Sequence, residues 1–239
     1  MQQEIVIRYL ARVFVRNPPL NATAQGYADF VNAIGDPSLV PRPVLEMTPI
    51  GPVQRIGVGT ASGDWLVQVT GDSVDVQSSP QVGMPAMDFE EFCKRAGVQI
   101  SKALASFDQK AWRLAVVREW VFRELTEEQM NASRARLVTL PKVLADTLPF
   151  EWDWRAGAAL DRRIGEKMAR TNTLASIRRV PVTLGGIEHD RLLLSTDVNT
   201  SPKDPTARFD DADALAFCHE SPAWHAELKQ SMLELAGLQ

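Results

Sequence analysis

The sequence predicts an α+β fold, in which an antiparallel β-meander sheet carries amphipathic helices packed on one side. Short runs alternate apolar with polar residues and are separated by turn residues, as is typical of strands with one solvated face. Longer segments repeat apolar residues at helical spacing. Strands followed by helices occur twice along the 239 residues. We therefore expect a single domain over residues 1–239, with two similar subdomains, 1–140 and 141–239, as the alternative.

The chain opens with a predicted strand over Glu4–Val15. It is rich in β-branched residues, which favour strands, and one of its faces is apolar at period two. The other face carries Arg8, Arg12 and Arg16, mixed with Leu10 and Phe14. A short helix over Ala22–Ile34 follows, and the proline-rich stretch DPSLVPRP after it is interpreted as a loop.

The clearest local signal is the stretch VQRIGVGTASGDWLVQVTGDSVDVQ. Three alternating runs are separated by Ser62-Gly63 and Gly71-Asp72, which are residue pairs typical of hairpin turns. The stretch predicts a three-stranded antiparallel meander with one face in water.

Helix and strand then alternate again. Asp88–Gln109 has apolar residues at helical spacing behind a capping aspartate, and Trp112–Phe122 returns to strand periodicity. Thr126 and Gln129 form a capping-box signature for a second helix that runs to about Val138.

The second half of the chain has the same outline. FEWDW alternates aromatic with acidic residues, and two longer strands, Thr173–Leu184 and Ile187–Val198, meet at Gly185-Gly186. One helix is predicted from Asp210 to His219. Another is predicted to begin at Ser221, because Pro222 suits the first turn of a helix.

Composition and charge exclude several classes of protein. The net charge of −4 argues against a general nucleic-acid binder, which usually has a basic excess. Cys93 and Cys218 lie far apart in apolar segments, which predicts buried free thiols. Charges interrupt the apolar start of the chain, and no apolar run approaches the roughly 20 residues of a membrane helix. We expect a cytoplasmic protein.

The stretch GGIEHDRLLLSTD gathers two acids around His189, one of three histidines. On a strand His189 faces away from Glu188 and Asp190, and Asp197 on its own face lies roughly 26 Å along the strand. The stretch is therefore interpreted as the rim of a hairpin.

The remaining motifs predict no catalytic or metal site and no cofactor. In CHESPAWH the histidines are six residues apart with a proline between them, unlike a zinc-protease helix. GVGTASG is followed by a strand, whereas the dinucleotide fingerprint needs a helix there. Glu151 and Asp153 share a strand face, which a solvated face explains.

The best basic patch on the sequence is a set of five arginines that could bind an acidic partner or a phosphate. They are Arg162, Arg163, Arg178, Arg179 and Arg191.

Four stretches resemble a sporadically distributed family of uncharacterised bacterial proteins of similar length, over about residues 55–235. They are GDWLVQVTGDSVDV, FEEFCKRAGVQISKAL, WRLAVVREWVF and RLLLSTDVNT. The resemblance implies an α+β fold and carries over no site residues.

Reactive side chains are scarce and amphipathic elements are plentiful, which predicts a non-enzymatic protein-binding module. It would be an inhibitor, an antitoxin or immunity-type protein, a phage counter-defence protein or a chaperone-like protein. The expected partner is another, unidentified protein, with nucleic acid unlikely, no membrane, and self-association left open. The alternative is a phosphate-directed enzyme whose site is assembled from dispersed Asp, Glu and Arg residues and His189.

Overall fold

Nine strands form one antiparallel sheet in a computed structural model that describes residues 4–16, 22–81, 84–145, 149, 151–184 and 186–238. The strands are β1 (Ile5–Val15), β2 (Val40–Thr48), β3 (Gly51–Gly59), β4 (Trp65–Val69), β5 (Ser73–Ser78), β6 (Ala111–Val121), β7 (Asp153–Ile164), β8 (Lys167–Leu184) and β9 (Ile187–Thr200). The helices are α1 (Ala24–Ile34), α2 (Phe89–Ser106), α3 (Glu127–Leu137), α4 (Lys142–Ala145) and α5 (Asp211–Ala236). The predicted α+β fold is confirmed.

The sheet is continuous across both halves of the chain. Its order is β2-β3-β4-β5-β1-β6-β9-β8-β7, so that β1 lies between β5 and β6, and β6 lies beside β9. The predicted meander forms β3, β4 and β5, and the predicted hairpin of long strands forms β8 and β9. Gly186, in the turn between β8 and β9, has a φ of 83°, a conformation that glycine adopts without strain.

The core lies between the sheet and the helices. One cluster packs α1, α2 and the first half of α5 against β1 and β3 to β6, and a second packs the end of α5 against β6, β8 and β9. The largest buried side chains include Trp65, Trp120, Phe92 and Phe217. In the described part of the chain, no helix is long and apolar enough to cross a membrane.

The caps of two helices agree with the sequence. The carboxylate of Asp88 accepts a hydrogen bond of 2.8 Å from the backbone N–H of Glu90 at the start of α2. At α3 the Thr126 hydroxyl accepts from the Gln129 N–H, and the Gln129 side chain accepts from the Thr126 N–H. Both caps satisfy backbone donors that a helix leaves unpaired at its first turn.

The predicted proline-rich loop ends earlier than expected: residues 36–39 form a turn, and β2 begins at Val40. Among the described residues β2 is an edge strand that pairs with β3 alone. Pro41 and Pro43 are two residues apart, so their missing N–H groups lie on the same side of the strand. An edge strand tolerates prolines whose nitrogens face away from its neighbour.

The two C-terminal helices predicted from the sequence are one helix, α5, with Pro222 inside it. A proline in this position removes the N–H that would bond the Cys218 carbonyl, one turn earlier. The neighbouring Ser221 hydroxyl donates to the Phe217 carbonyl at 2.7 Å, in the same turn of the helix. The packing of both ends of α5 against the sheet stabilises the helix by more than the lost hydrogen bond costs.

The FEWDW stretch leads into β7, and this strand is longer than the sequence predicted. β7 begins at Asp153 and continues to Ile164, and β8 begins at Lys167, six residues before the predicted start. Small residues at 156–159 and three charges at 161–163 conceal the alternation in this part of the chain. Phe150 lies outside the described residues.

Candidate functional site

The candidate site is the face of the sheet opposite α2 and α5, called the open face here. Alternation places Tyr9, Ala11 and Val13 of β1 against the helices, which leaves Arg8, Arg12 and Phe14 on the open face. The same alternation in β6 leaves Arg113, Ala115, Val117 and Glu119 on the open face. The open face of β1 and β6 therefore carries four charged side chains, Arg8, Arg12, Arg113 and Glu119.

A row of polar side chains crosses five strands of the open face. The cross-strand pairs are Arg8 with Glu119, Glu119 with Ser195, Ser195 with Ser176, and Ser176 with Arg155. Directly paired residues in an antiparallel sheet point to the same face. Because neighbouring strands lie about 4.8 Å apart, the row spans roughly 19 Å and has an arginine at each end.

Beside this row the open face has a cleft of about 390 Å³. Its lining includes Leu174, Leu193 and Val117 as well as the polar residues of the row. Arg178 and Asp153 form the next cross-strand pair towards the end of β8 and also line the cleft. The cleft therefore combines apolar floor residues with charges on its sides.

Two arginines of the cleft are available for a ligand. Arg8 is paired, with its Nη2 3.1 Å from Oε2 of Glu119. Arg155 and Arg178 are both exposed, and neither has a hydrogen bond or ion pair with any residue in the described part of the chain. Guanidinium groups in this state can bind carboxylate or phosphate oxygens in a bidentate way.

Asp197 lies in the floor of the same cleft, paired across strands with Val117 and Leu174. Burial raises the pKa of its carboxyl, while a 2.9 Å hydrogen bond from Nδ2 of Asn199 and the charges of Arg113 and Arg155 oppose that shift. Its carboxyl lies close enough to Arg113 and Arg155 for their charges to act on it, so Asp197 partly offsets the positive charge of the cleft.

An aromatic pair lies further along β1 and β6. The ring centroids of Phe14 and Trp112 are 5.2 Å apart, and both side chains are partly exposed. The guanidinium of Arg113 lies 5.0 Å and that of Arg12 5.7 Å from the Phe14 centroid. This arrangement interleaves aromatic and basic groups, as surfaces that stack nucleobases do.

Arg12 is held in place by the sheet itself. Its Nε and Nη2 donate to the two carboxylate oxygens of Asp75 at 2.7 and 2.6 Å. Asp75 is buried and also accepts from Ser73 at 2.8 Å. This bidentate bond raises the pKa of Arg12 and fixes its guanidinium near the aromatic pair.

The five arginines of the predicted basic patch are not brought together. Arg162 stacks on Trp224 of α5 at 4.9 Å, on the helix side of the sheet. Arg163 donates to the Gly165 carbonyl at 2.9 Å, and its cross-strand partner lies ten residues along β8 from Arg178, roughly 33 Å away. Only Arg178 lines the cleft.

The last two arginines of that set have partners at the other end of β8 and β9. Arg179 donates to the Pro149 carbonyl at 2.8 Å and to the Asp190 carboxylate. Arg191 is buried, with its Nη2 3.6 Å from Oε2 of Glu124. A role of these two residues in partner binding stays a prediction.

His189 lies on the rim of the β8–β9 hairpin, as predicted. Its Nδ1 is 3.4 Å from Oε1 of Glu124, the carboxylate that also faces Arg191. No group of three His, Cys, Asp or Glu side chains in the described part of the chain could hold a metal ion. His189 lies with Glu124 and Arg191 in a polar cluster at this end of the hairpin.

The CHESPAWH stretch has structural roles. Burial raises the pKa of the Cys218 thiol to about 12, and burial likewise raises that of Cys93. Thiols in this state are poor nucleophiles. His219 is exposed, whereas His225 is buried with its Nδ1 2.7 Å from the Thr196 hydroxyl and its ring 5.0 Å from that of Phe89.

The residues of the open face were visible in the sequence only strand by strand. The arginines of β1 and the alternation of Ser195 and Asp197 in β9 are local signals. Their assembly is not local, because β1 pairs with a strand that begins about a hundred residues later. Arg155 is not among the five arginines of the predicted basic patch.

Comparisons with known proteins identify no relative by sequence, since no family model and no curated protein matches the chain. A solved structure of a rolling circle replication initiator protein from Geobacillus stearothermophilus is similar over 92% of this chain and 79% of its own. Its sequence identity is 10% and its TM-score is 0.30.

That match conflicts with two predictions made from the sequence. A replication initiator is a different kind of protein from a non-enzymatic protein-binding module whose partner is another protein and for which nucleic acid is unlikely. Both predictions are wrong on this finding. The prediction about nucleic acid depended on the net charge, which averages over the whole chain, whereas Arg155 and Arg178 lie together on one face. The prediction of a protein-binding module depended on the scarcity of reactive side chains. A TM-score of 0.30 is too low to support any function of this chain.

Proposed function

We propose that the open face binds single-stranded nucleic acid. Arg8, Arg155 and Arg178 would contact the phosphate backbone, and Phe14 and Trp112 would stack against bases. The observation that carries the proposal is that Arg155 and Arg178 have no hydrogen bond or ion pair within the described residues and share the open face with an aromatic pair between two further arginines.

The spacing of the arginines suits a nucleic-acid ligand, whose backbone carries a phosphate charge at every nucleotide. Those at the two ends of the polar row are roughly 19 Å apart, so one phosphate cannot contact both. A linear polyanion can, and the serines between them provide hydroxyl donors. Arg178 adds a further charge along β8 from Arg155.

The aromatic pair favours a ligand with flat rings over a simple polyanion. Each base stacked on an aromatic side chain contributes about 1–3 kcal/mol, and every base offers a face for stacking. Trp112 and Phe14 are adjacent to Arg113, which is held over the Phe14 ring. A duplex would present phosphates but would keep its bases away from these rings.

The first test is fluorescence anisotropy with a labelled single-stranded oligonucleotide of mixed sequence, titrated with the protein at low and at raised salt. The double variant R155A/R178A removes two charges of the open face. The matched control K94A/K102A removes two exposed lysines from α2, on the opposite face. Circular dichroism establishes that each variant is folded.

We expect the wild-type protein to bind and its affinity to fall as salt rises, because phosphate contacts release counterions. R155A/R178A is expected to weaken binding by about tenfold or more and to reduce the salt dependence by roughly two ion contacts, while K94A/K102A changes little. Equal losses in both double variants, or no binding by the wild type, would contradict the proposal.

A further inference from the structure

β7 is an uncovered edge of the sheet. It pairs only with β8 within the described part of the chain, and every residue from 155 to 161 is exposed. It is twelve residues long, contains no proline and has Gly157, Ala158 and Ala159 at its centre. Edge strands in natural proteins are usually short, bulged or blocked. A long open edge has free N–H and C=O groups that pair with any suitable strand.

The order of charges along β7 is complementary to itself when the strand is reversed. In an antiparallel pair centred on Ala158, Arg155 faces Asp161 of the second strand and Asp153 faces Arg163. The twofold axis repeats each contact, so four pairs of opposite charge form. All four residues have odd numbers and lie on the open face with Arg155, so the pairs share one side of the sheet.

The two nearest registers that also place the open faces of both strands on one side do not pair opposite charges in this way. A pair centred on Gly157 places Asp153 opposite Asp161, and a pair centred on Ala159 places Arg155 opposite Arg163. Like charges directly opposite each other destabilise a strand pair. The charges of β7 therefore select one register.

The helix side of β7 fits the same register. Trp154 lies opposite Arg162 of the second strand, a combination that allows a cation–π contact. Ala156 lies opposite Leu160, whose side chain is 44% exposed. The small residues at the centre allow two backbones to approach to ordinary strand distance.

We propose that two copies of the chain form a twofold dimer by antiparallel pairing of their β7 strands about Ala158, which joins the two sheets into one. This partner is a second copy of the chain and not the separate protein predicted from the sequence. Because β7 lines the cleft, the dimer would place two open faces side by side. The inference does not depend on nucleic-acid binding, since oligomeric state is measured without a ligand.

The test is sedimentation velocity of the full chain over a range of micromolar concentrations. Wild type is expected to approach twice the 26.5 kDa of one chain as concentration rises. Asp161→Arg places an arginine opposite the partner's Arg155 and is expected to weaken dimerisation by about tenfold or more. The double variant R155D/D161R exchanges the charges and is expected to restore the dimer.

Two further variants separate pairing from folding. Asp161 also bonds Arg170 of its own chain at 3.1 Å, so Arg170→Ala removes that contact and is expected to leave the dimer intact. Arg155→Asp creates the corresponding repulsion between carboxylates and replaces D161R if that variant does not fold. A monomeric wild type, a folded D161R that still dimerises, or a folded R155D/D161R that stays monomeric would each overturn the proposal.

Discussion

The two faces of the sheet differ most clearly at neighbouring positions of β6. Trp120 is fully buried against α5, whereas Glu119 lies one residue away on the open face and lines the cleft. The same backbone thus holds a packed side and a binding side. We infer that the helix side determines stability and the open side determines binding, so that substitutions in β6 should separate the two properties.

The largest effect is expected from truncating the buried side of this pair. Trp120→Ala should lower the free energy of unfolding by about 3–5 kcal/mol, because it removes a large buried ring and leaves a cavity. Glu119→Ala should cost about 1 kcal/mol or less, since the Arg8–Glu119 pair is partly exposed. Urea denaturation followed by circular dichroism measures both, and similar losses would contradict the division between faces.

A second effect on the helix side depends on pH. Burial lowers the pKa of His225 to about 3, and the charges of Arg118 and Arg162 act in the same direction. Below the unfolded pKa of about 6.5 the unfolded chain therefore binds a proton that the folded chain does not. The free energy of unfolding should fall by up to about 1.4 kcal/mol per pH unit as pH drops from about 6 to 4.

His225→Gln should remove most of that pH dependence, because glutamine does not titrate. His219→Gln is the matched control, since His219 lies on the same helix but is exposed. Urea unfolding at a series of pH values gives the slopes. If H225Q retains the wild-type slope, burial of a neutral His225 is not its cause.

A smaller effect is expected on the open face at Phe14. Phe14→Ala should weaken oligonucleotide binding by about tenfold, as expected from the loss of one stacked base. Phe14→Leu keeps an apolar side chain beside Trp112 but removes the ring, so it should weaken binding almost as much. Anisotropy measures both, and full affinity in F14L would mean that the pair contributes packing alone.

The smallest effect is expected from Asp197→Asn. This substitution removes one negative charge from the cleft, so oligonucleotide affinity should rise by about fivefold at most, a value set by the interaction of two charges at about 4 Å in water. Asp29→Asn, which removes an exposed carboxyl from α1 on the opposite side of the sheet, is the control. A fall in affinity in D197N would show that the carboxyl contacts the ligand favourably.

The sequence predicts most individual elements because their signals are local. The meander over residues 53–77 and the capping box at Thr126 need no information from distant residues. β2, most of β7 and the start of β8 were missed, since prolines, small residues and runs of charge conceal strands whose existence depends on their neighbours. Pro222 was given too much weight, because packing along α5 outweighs one lost hydrogen bond.

The candidate site could not be predicted in the same way, because it depends on register between distant strands. Arg8 meets Glu119 and Arg155 meets Ser176 only after the sheet has formed. A one-residue shift in any of these pairs would move every side chain of that strand to the other face. Net charge was misleading for the same reason, since it does not report where charges lie.

The most direct test of the central claim is to photocross-link a single-stranded oligonucleotide that carries a photoreactive pyrimidine and to locate the adducts by mass spectrometry. We predict cross-links to Phe14, Trp112 and other residues of β1, β6, β8 and β9 on the open face. Cross-links confined to α2 and α5, on the opposite face, would contradict the account.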